Sequence, residues 1–127
     1  MSDPSPESSQ LSWHLTVPID PAQTAHNQRL HWGTRAARNR ASRDAARWAW
    51  IAAGSPVASR RIRVSVTLRR PRPLDPANVW DGLKPALDGL FTRAMTPDDS
   101  ARWVELGAIR QERAEAPSVE FLVEELG

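Results

Sequence analysis

Apolar and polar residues alternate from Ser12 to Val17, and again, with the cleanest period in the chain, from Arg61 to Arg69. Alternation sends successive side chains to opposite faces, so both segments are predicted strands with one buried side. Pro18 and Pro21 end the first. Trp103 to Gln111 and Ser118 to Leu126 alternate in part and are two further strand candidates, with 113–117 as the link of a hairpin. A different period governs 35–53, where Ala37, Ala41, Ala45, Trp48 and Ala52 recur at three or four residues. That spacing predicts an amphipathic helix with those residues as its apolar stripe and Thr34 as its N-cap. Arg40, Arg43 and Arg47 form a basic stripe on another face. A second helix is predicted from about Asn78 or Asp81 to Phe91, with Val79, Leu83, Leu87 and Leu90 on its core side. Proline inside a helix costs about 3 kcal/mol, so Pro85 places the start near Asp81 or kinks the helix below it.

The resulting order, β-α-β-α-β-β, is that of a small α/β (α+β) domain with its helices packed on one mixed sheet. Residues 1–10, MSDPSPESSQ, are rich in serine and proline and read as a disordered leader. Residues 11–127 form the domain. With 127 residues and 40% hydrophobic content, one core is affordable without staples. The absence of cysteine excludes disulfides, thiolate metal sites and cysteine nucleophiles. No apolar run approaches the ~18 residues of a membrane span, and no signal peptide opens the chain. The expectation is a soluble, cytoplasmic protein.

Net charge is only +2, but it is unevenly spread. Residues 22–72 carry twelve arginines and one acid, whereas 73–127 carry eleven acids against five bases. A block of charge +11 suits a polyanionic partner, nucleic acid first. An arginine-rich codon bias is the competing explanation. One residue stands outside that bias: sixteen of the seventeen bases are arginine, and the single lysine, Lys84, sits between Asp81 and Asp88. An ammonium is a compact point charge, not interchangeable with a guanidinium in a tight site. A plain i,i+4 pair with Asp88 is the alternative.

The chemistry concentrates in 75–99, DPANVWDGLKPALDGLFTRAMTPDD. Asn78, Asp81, Lys84 and Asp88 share one helix face, Asp75 precedes the helix, and Asp98 and Asp99 follow it. Aspartates brought together repel unless a hard cation such as Mg²⁺ neutralises them. Magnesium beside a lysine suits phosphoryl transfer. An exposed acidic helix followed by an Asp-Asp turn is the bland alternative. None of the histidines, His14, His26 and His31, has metal-ligand spacing with another. Most of the six tryptophans are expected in the core or at a subunit contact. Trp32 and Trp80 are candidates to stack on a splayed base.

The run RPLDPANVWDGLKPALDGL, followed by PDDSARWV, resembles the RusA family of Holliday junction resolvases. The resemblance spans about 12–126 and rests on a spaced motif of Asp, Asn, Lys and Asp followed by an Asp-Asp pair. It implies a RusA-like fold and assigns Asp75 to the first motif aspartate, Asn78 to the asparagine, Lys84 to the lysine, Asp88 to the helix aspartate, and Asp98 and Asp99 to the pair. Asp75, Lys84, Asp88 and Asp99 become the expected catalytic residues, and Asp75, Asp81, Asp88, Asp98 and Asp99 the expected metal ligands. DNA contacts are expected from Arg29, Arg40, Arg43, Arg47, Arg69, Arg70, Arg72 and Asn78. Two departures stand out. The second motif aspartate is Ala77 here, and six residues separate Asn78 from Lys84 where three are usual. The insertion brings in Asp81, which is placed to supply the missing carboxylate. The alternative is a site that binds metal through fewer acids or is weakened. The implied activity is Mg²⁺-dependent cleavage of four-way junctions by a homodimer making paired nicks, in bacterial or phage recombination and repair. The runner-up is a catalytically weakened, structure-specific DNA-binding homodimer of the same fold.

Overall fold

A computed structural model describes residues 11–23 and 32–126. The predicted leader, Arg29, His26 and His31 lie outside the described residues. Four strands and two helices follow the predicted order: β1 (Ser12–Val17), α1 (Trp32–Ala52), β2 (Ile62–Arg70), α2 (Pro76–Phe91), β3 (Val104–Arg113) and β4 (Ser118–Glu125), with a 3-10 turn at Pro21–Gln23.

The sheet order is β1-β4-β2-β3. β4 runs antiparallel to both neighbours, pairing Leu15 with Phe121 on one side and Val66 with Phe121 on the other. β3 pairs with β2 in parallel, from Ile62↔Val104 to Arg70↔Arg113. The predicted β3–β4 hairpin is therefore not formed. β2 lies between the two strands, because α2 returns the chain as a crossover and a crossover makes a parallel neighbour. The linker 114–117 then carries the chain past the end of β2, held by the Ala114 N–H donating to the Arg70 carbonyl at 3.1 Å.

A register shift between Val64 and Val66 bulges β3 opposite β2. Gly107 sits there, and a Cβ at that position would fall 2.8 Å from Ser65 Oγ. A side chain there would require Ser65 to turn its hydroxyl aside, and a glycine at a bulge avoids that.

One sheet face is the core. Leu15 and Val17, Ile62, Val64, Val66 and Leu68, and Val119, Phe121 and Val123 all point into it and are buried. α2 meets them with Val79, Leu83, Ala86, Leu87, Leu90 and Phe91. α2 begins earlier than predicted, at Pro76, and runs unbroken through Pro85. Pro76 occupies the first turn, where no N–H is needed. At Pro85 the i→i−4 bond is lost, and burial of six apolar side chains along the helix offsets it.

α1 also begins earlier, at Trp32, so Thr34 lies inside the helix and is not its cap. Its buried stripe is out of phase with the predicted one. Ser42 and Ala46 are buried and Ala45, Ala49 and Trp50 partly so, while Ala37, Ala41 and Ala52 are exposed and Trp48 is 68% exposed. Alanine is small enough to be tolerated on any face, so an alanine-rich helix has a weak phase signal. The true phase is set by α2. At Gly89 a Cβ would lie 2.4 Å from the Arg43 carbonyl oxygen, so the helix backbones touch there.

The opposite sheet face carries an ion-pair ladder. Arg63 Nε meets Glu105 at 2.6 Å, and Arg69 bridges Glu112 at 3.0 Å and Glu120 at 3.2 Å. His14 adds a 3.4 Å contact to Glu120.

Candidate active site

The face of α2 turned from the core carries Asp81, Lys84 and Asp88, as the spacing requires. Beyond Phe91 the chain doubles back. Arg93 takes left-handed backbone angles at φ 57°, and the Met95 N–H reaches the Leu90 carbonyl at 2.9 Å. Buried Thr96 donates its hydroxyl towards two carbonyls, those of Phe91 and Asp98, each at 2.8 Å. These bonds turn 92–99 back along α2 and bring Asp99 to the side of the helix.

The result is a cavity of about 410 Å³ lined by Lys84, Asp88 and Asp99, with Trp80 beside them and Asn39 and Arg43 facing from α1. Three expected catalytic residues thus share one cavity. Asp88 is held from two sides: Thr92 Oγ1 donates to its Oδ1 at 2.8 Å, and Arg43 Nη1 stands 3.9 Å from its Oδ2. Asn39 Oδ1 is buried with no donor. Sequence reasoning missed Asn39. It lies one turn before Arg43, and that relation acquires meaning only when the phase of α1 against α2 is known.

The other expected ligands lie elsewhere. Asp98 turns back on its own loop, where the Ser100 N–H donates to its Oδ1 at 2.9 Å. Hydrogen bonds from the Ser100 side chain and backbone hold its carboxyl below the usual range. Asp75 is the residue before α2, without a side-chain cap bond. Thirteen residues of continuous helix separate it from Asp88, about 20 Å at 1.5 Å per residue. One ion cannot bind both. Asp81, half-buried, does not line the cavity, and neither does Asn78. Among the described residues, no three His, Asp or Glu side chains come together as a metal site. Asp88 and Asp99 supply two carboxylates to the cavity, a number that magnesium takes from proteins when waters and substrate phosphate complete its shell. The donorless amide oxygen of Asn39 is a hard-ligand atom of the same kind.

Of the expected DNA contacts, Arg43 lines the cavity, and Arg40 and Arg72 are exposed. Arg47, Arg69 and Arg70 have internal partners. Arg47 caps the C-terminal end of α2, donating to the carbonyls of Gly89 at 2.7 Å and Thr92 at 3.0 Å, and its guanidinium lies 5.9 Å from the Trp50 ring centre. Arg69 belongs to the ladder, and its charged form is favoured chiefly by the hydrogen bond to Glu120. Arg70 pairs with Asp20 at 3.2 Å and donates to the Arg72 carbonyl. The tight turn before α2 has its own clamp: the Gln111 amide accepts from Leu74 N–H at 2.8 Å and donates to its carbonyl at 2.9 Å.

No protein-family model matches the sequence, and no curated protein matches it. Among the described residues, no helix is long and apolar enough to cross a membrane.

Proposed function

We propose that the chain is a Mg²⁺-dependent endodeoxyribonuclease that resolves four-way DNA junctions as a homodimer. The observation that carries this reading is the convergence of Lys84, Asp88 and Asp99 on one cavity flanked by Arg43 of the basic helix. Asp88 and Asp99 would hold the ion, which when bound polarises the phosphodiester and acidifies a water. The Thr92 hydroxyl fixes the Asp88 carboxylate by a hydrogen bond to one oxygen, and the Arg43 guanidinium attracts the other across 3.9 Å. Arg43, half-exposed, also presents a guanidinium to an entering phosphate. The Lys84 ammonium lines the same cavity and would offset the charge that builds up on the phosphate oxygens. Arg40, exposed on α1 close to Arg43, would add a further phosphate contact, and contacts of this kind read backbone and shape, not base sequence.

A junction has near two-fold symmetry, and its resolution needs opposed cuts. Each subunit contributes one such cavity, so a closed two-fold dimer supplies the pair.

Two observations favour the second reading, a weakened enzyme that still binds junctions: Ala77 replaces a motif acid, and Asp75 stands far from Asp88. Incubating the chain with a synthetic four-way junction in Mg²⁺ or EDTA decides between them. Paired symmetric nicks in Mg²⁺ alone are expected. A salt-sensitive gel shift without nicks selects the binding module, and no shift at all removes both.

A further inference from the structure

A second cavity, of about 340 Å³, opens beside the first, between α2 and the edge strand β3. Its walls are Leu87, Phe91, Val104 and Leu106, and it shares Trp80, Leu87 and Asp99 with the candidate active site. The two are therefore halves of one cleft, one end charged and the other apolar, with Trp80 at the join. Trp80 is 36% exposed and Leu106 41%, although Leu106 is on the core side of its strand. α2 does not reach across β3, so the apolar end stays open.

With a divalent cation on its two carboxylates, the charged end would favour an anion, and the other end suits a flat apolar body. Resting on the phosphodiesterase reading above, we propose that the groove is a nucleobase subsite, in which a base unstacked next to the scissile phosphate lies against Trp80. Base stacking on an indole is strong and tolerant of base identity, so the subsite selects an unpaired nucleotide and not a sequence. A paired base cannot enter a one-sided groove. Extrusion is least costly where stacking is already broken, as it is at a branch point. A second copy of the chain is a weaker fit for the groove. In an isologous contact centred here, groove would face groove, and the Asp99 carboxylate at the rim would be buried against apolar surface.

The test uses the full chain and a four-way junction carrying 5-iodouracil at positions flanking the branch, irradiated in EDTA so that the strands stay intact. The adduct is expected on Trp80, located by mass spectrometry of the digested complex. Trp80→Ala should remove it and weaken junction binding about tenfold, the order of one lost stacking contact. Trp80→Phe, which keeps an aromatic face, should restore most of the affinity. Ala101→Trp, at an exposed position that borders the groove, should fill it and lower the adduct yield. A salt-sensitive complex with adducts only on other residues, or Trp80→Ala binding as wild type, overturns the subsite and leaves the nuclease reading standing. No complex removes both. A dimer that Ala101→Trp converts to monomers without DNA would assign the groove to a second copy and overturn the proposal.

Discussion

The Arg43 guanidinium and the Asp88 carboxylate face each other across the α1–α2 crossing, Nη1 to Oδ2 at 3.9 Å. This is where the basic block of the sequence meets its acidic stripe. The crossing is close because Gly89 leaves room for the Arg43 backbone. Both side chains are 46% exposed, so the pair adds little to stability, at most about 1 kcal/mol. Its use is to orient Asp88 and to present positive charge at the cavity.

Arg43→Gln should therefore leave the denaturation midpoint almost unchanged and weaken junction binding. The slope of log affinity against log salt should fall by about 0.9, one phosphate contact on duplex DNA. Titrations at several salt concentrations measure it. An unchanged slope would show that Arg43 serves Asp88 alone.

The cavity separates the aspartates into two groups. Asp88→Asn and Asp99→Asn should fold, bind junctions at least as well, and cut more than about 100-fold more slowly, a larger loss than that of a ligand's outer partner. Lys84→Ala should cost about 100-fold or more, as for other groups that stabilise developing charge. Asp75→Asn should stay within about threefold of wild type, the range of an ordinary surface change. Single-turnover cleavage rates compare the four. A dead Asp75→Asn with an active Asp88→Asn would move the metal to the other end of α2.

Arg47 and Arg72 should behave in opposite ways. Arg47→Met deletes two charged hydrogen bonds to the end of α2 and should cost about 2 kcal/mol in urea unfolding, with no change in salt slope. Arg72→Ala should leave unfolding unchanged and lower the slope. Equal effects of the two on DNA binding would contradict the division between structural and free arginines.

The outer ladder predicts an acid response. Hydrogen bonding to Arg63 holds the Glu105 carboxyl below its usual range, and hydrogen bonding to Arg69 does the same for Glu120. A depressed carboxylate stabilises the fold at pH values above its unfolded pKa, about 4.3 for glutamate. That contribution disappears as pH falls through the lower folded value. Melting temperatures of wild type and Glu120→Gln should differ at pH 6 and converge in the acid range, with salt narrowing the gap at pH 6. A gap that persists in acid would mean that Glu120 acts through packing.

The strands were legible because alternation is a local property. Val64, Val66 and Leu68 must share a face whatever their neighbours are, and Arg63 and Arg69 must share the other. The polar face of α2 was legible for the same reason: helical geometry alone aligns Asp81, Lys84 and Asp88. Partner choice is not local. Whether β3 pairs with β4 or with β2 depends on where α2 returns the chain, and no period within β3 records that. The phase of α1 was hidden because alanine suits every face, and contact with Gly89 of α2 chose among them. Only the turn at 92–99, built from the Thr96 hydroxyl and left-handed Arg93, brings Asp99 beside Lys84 and Asp88. Only the unbroken run through Pro85 carries Asp75 away, because continuous helix adds a fixed rise per residue and converts thirteen residues of sequence into distance.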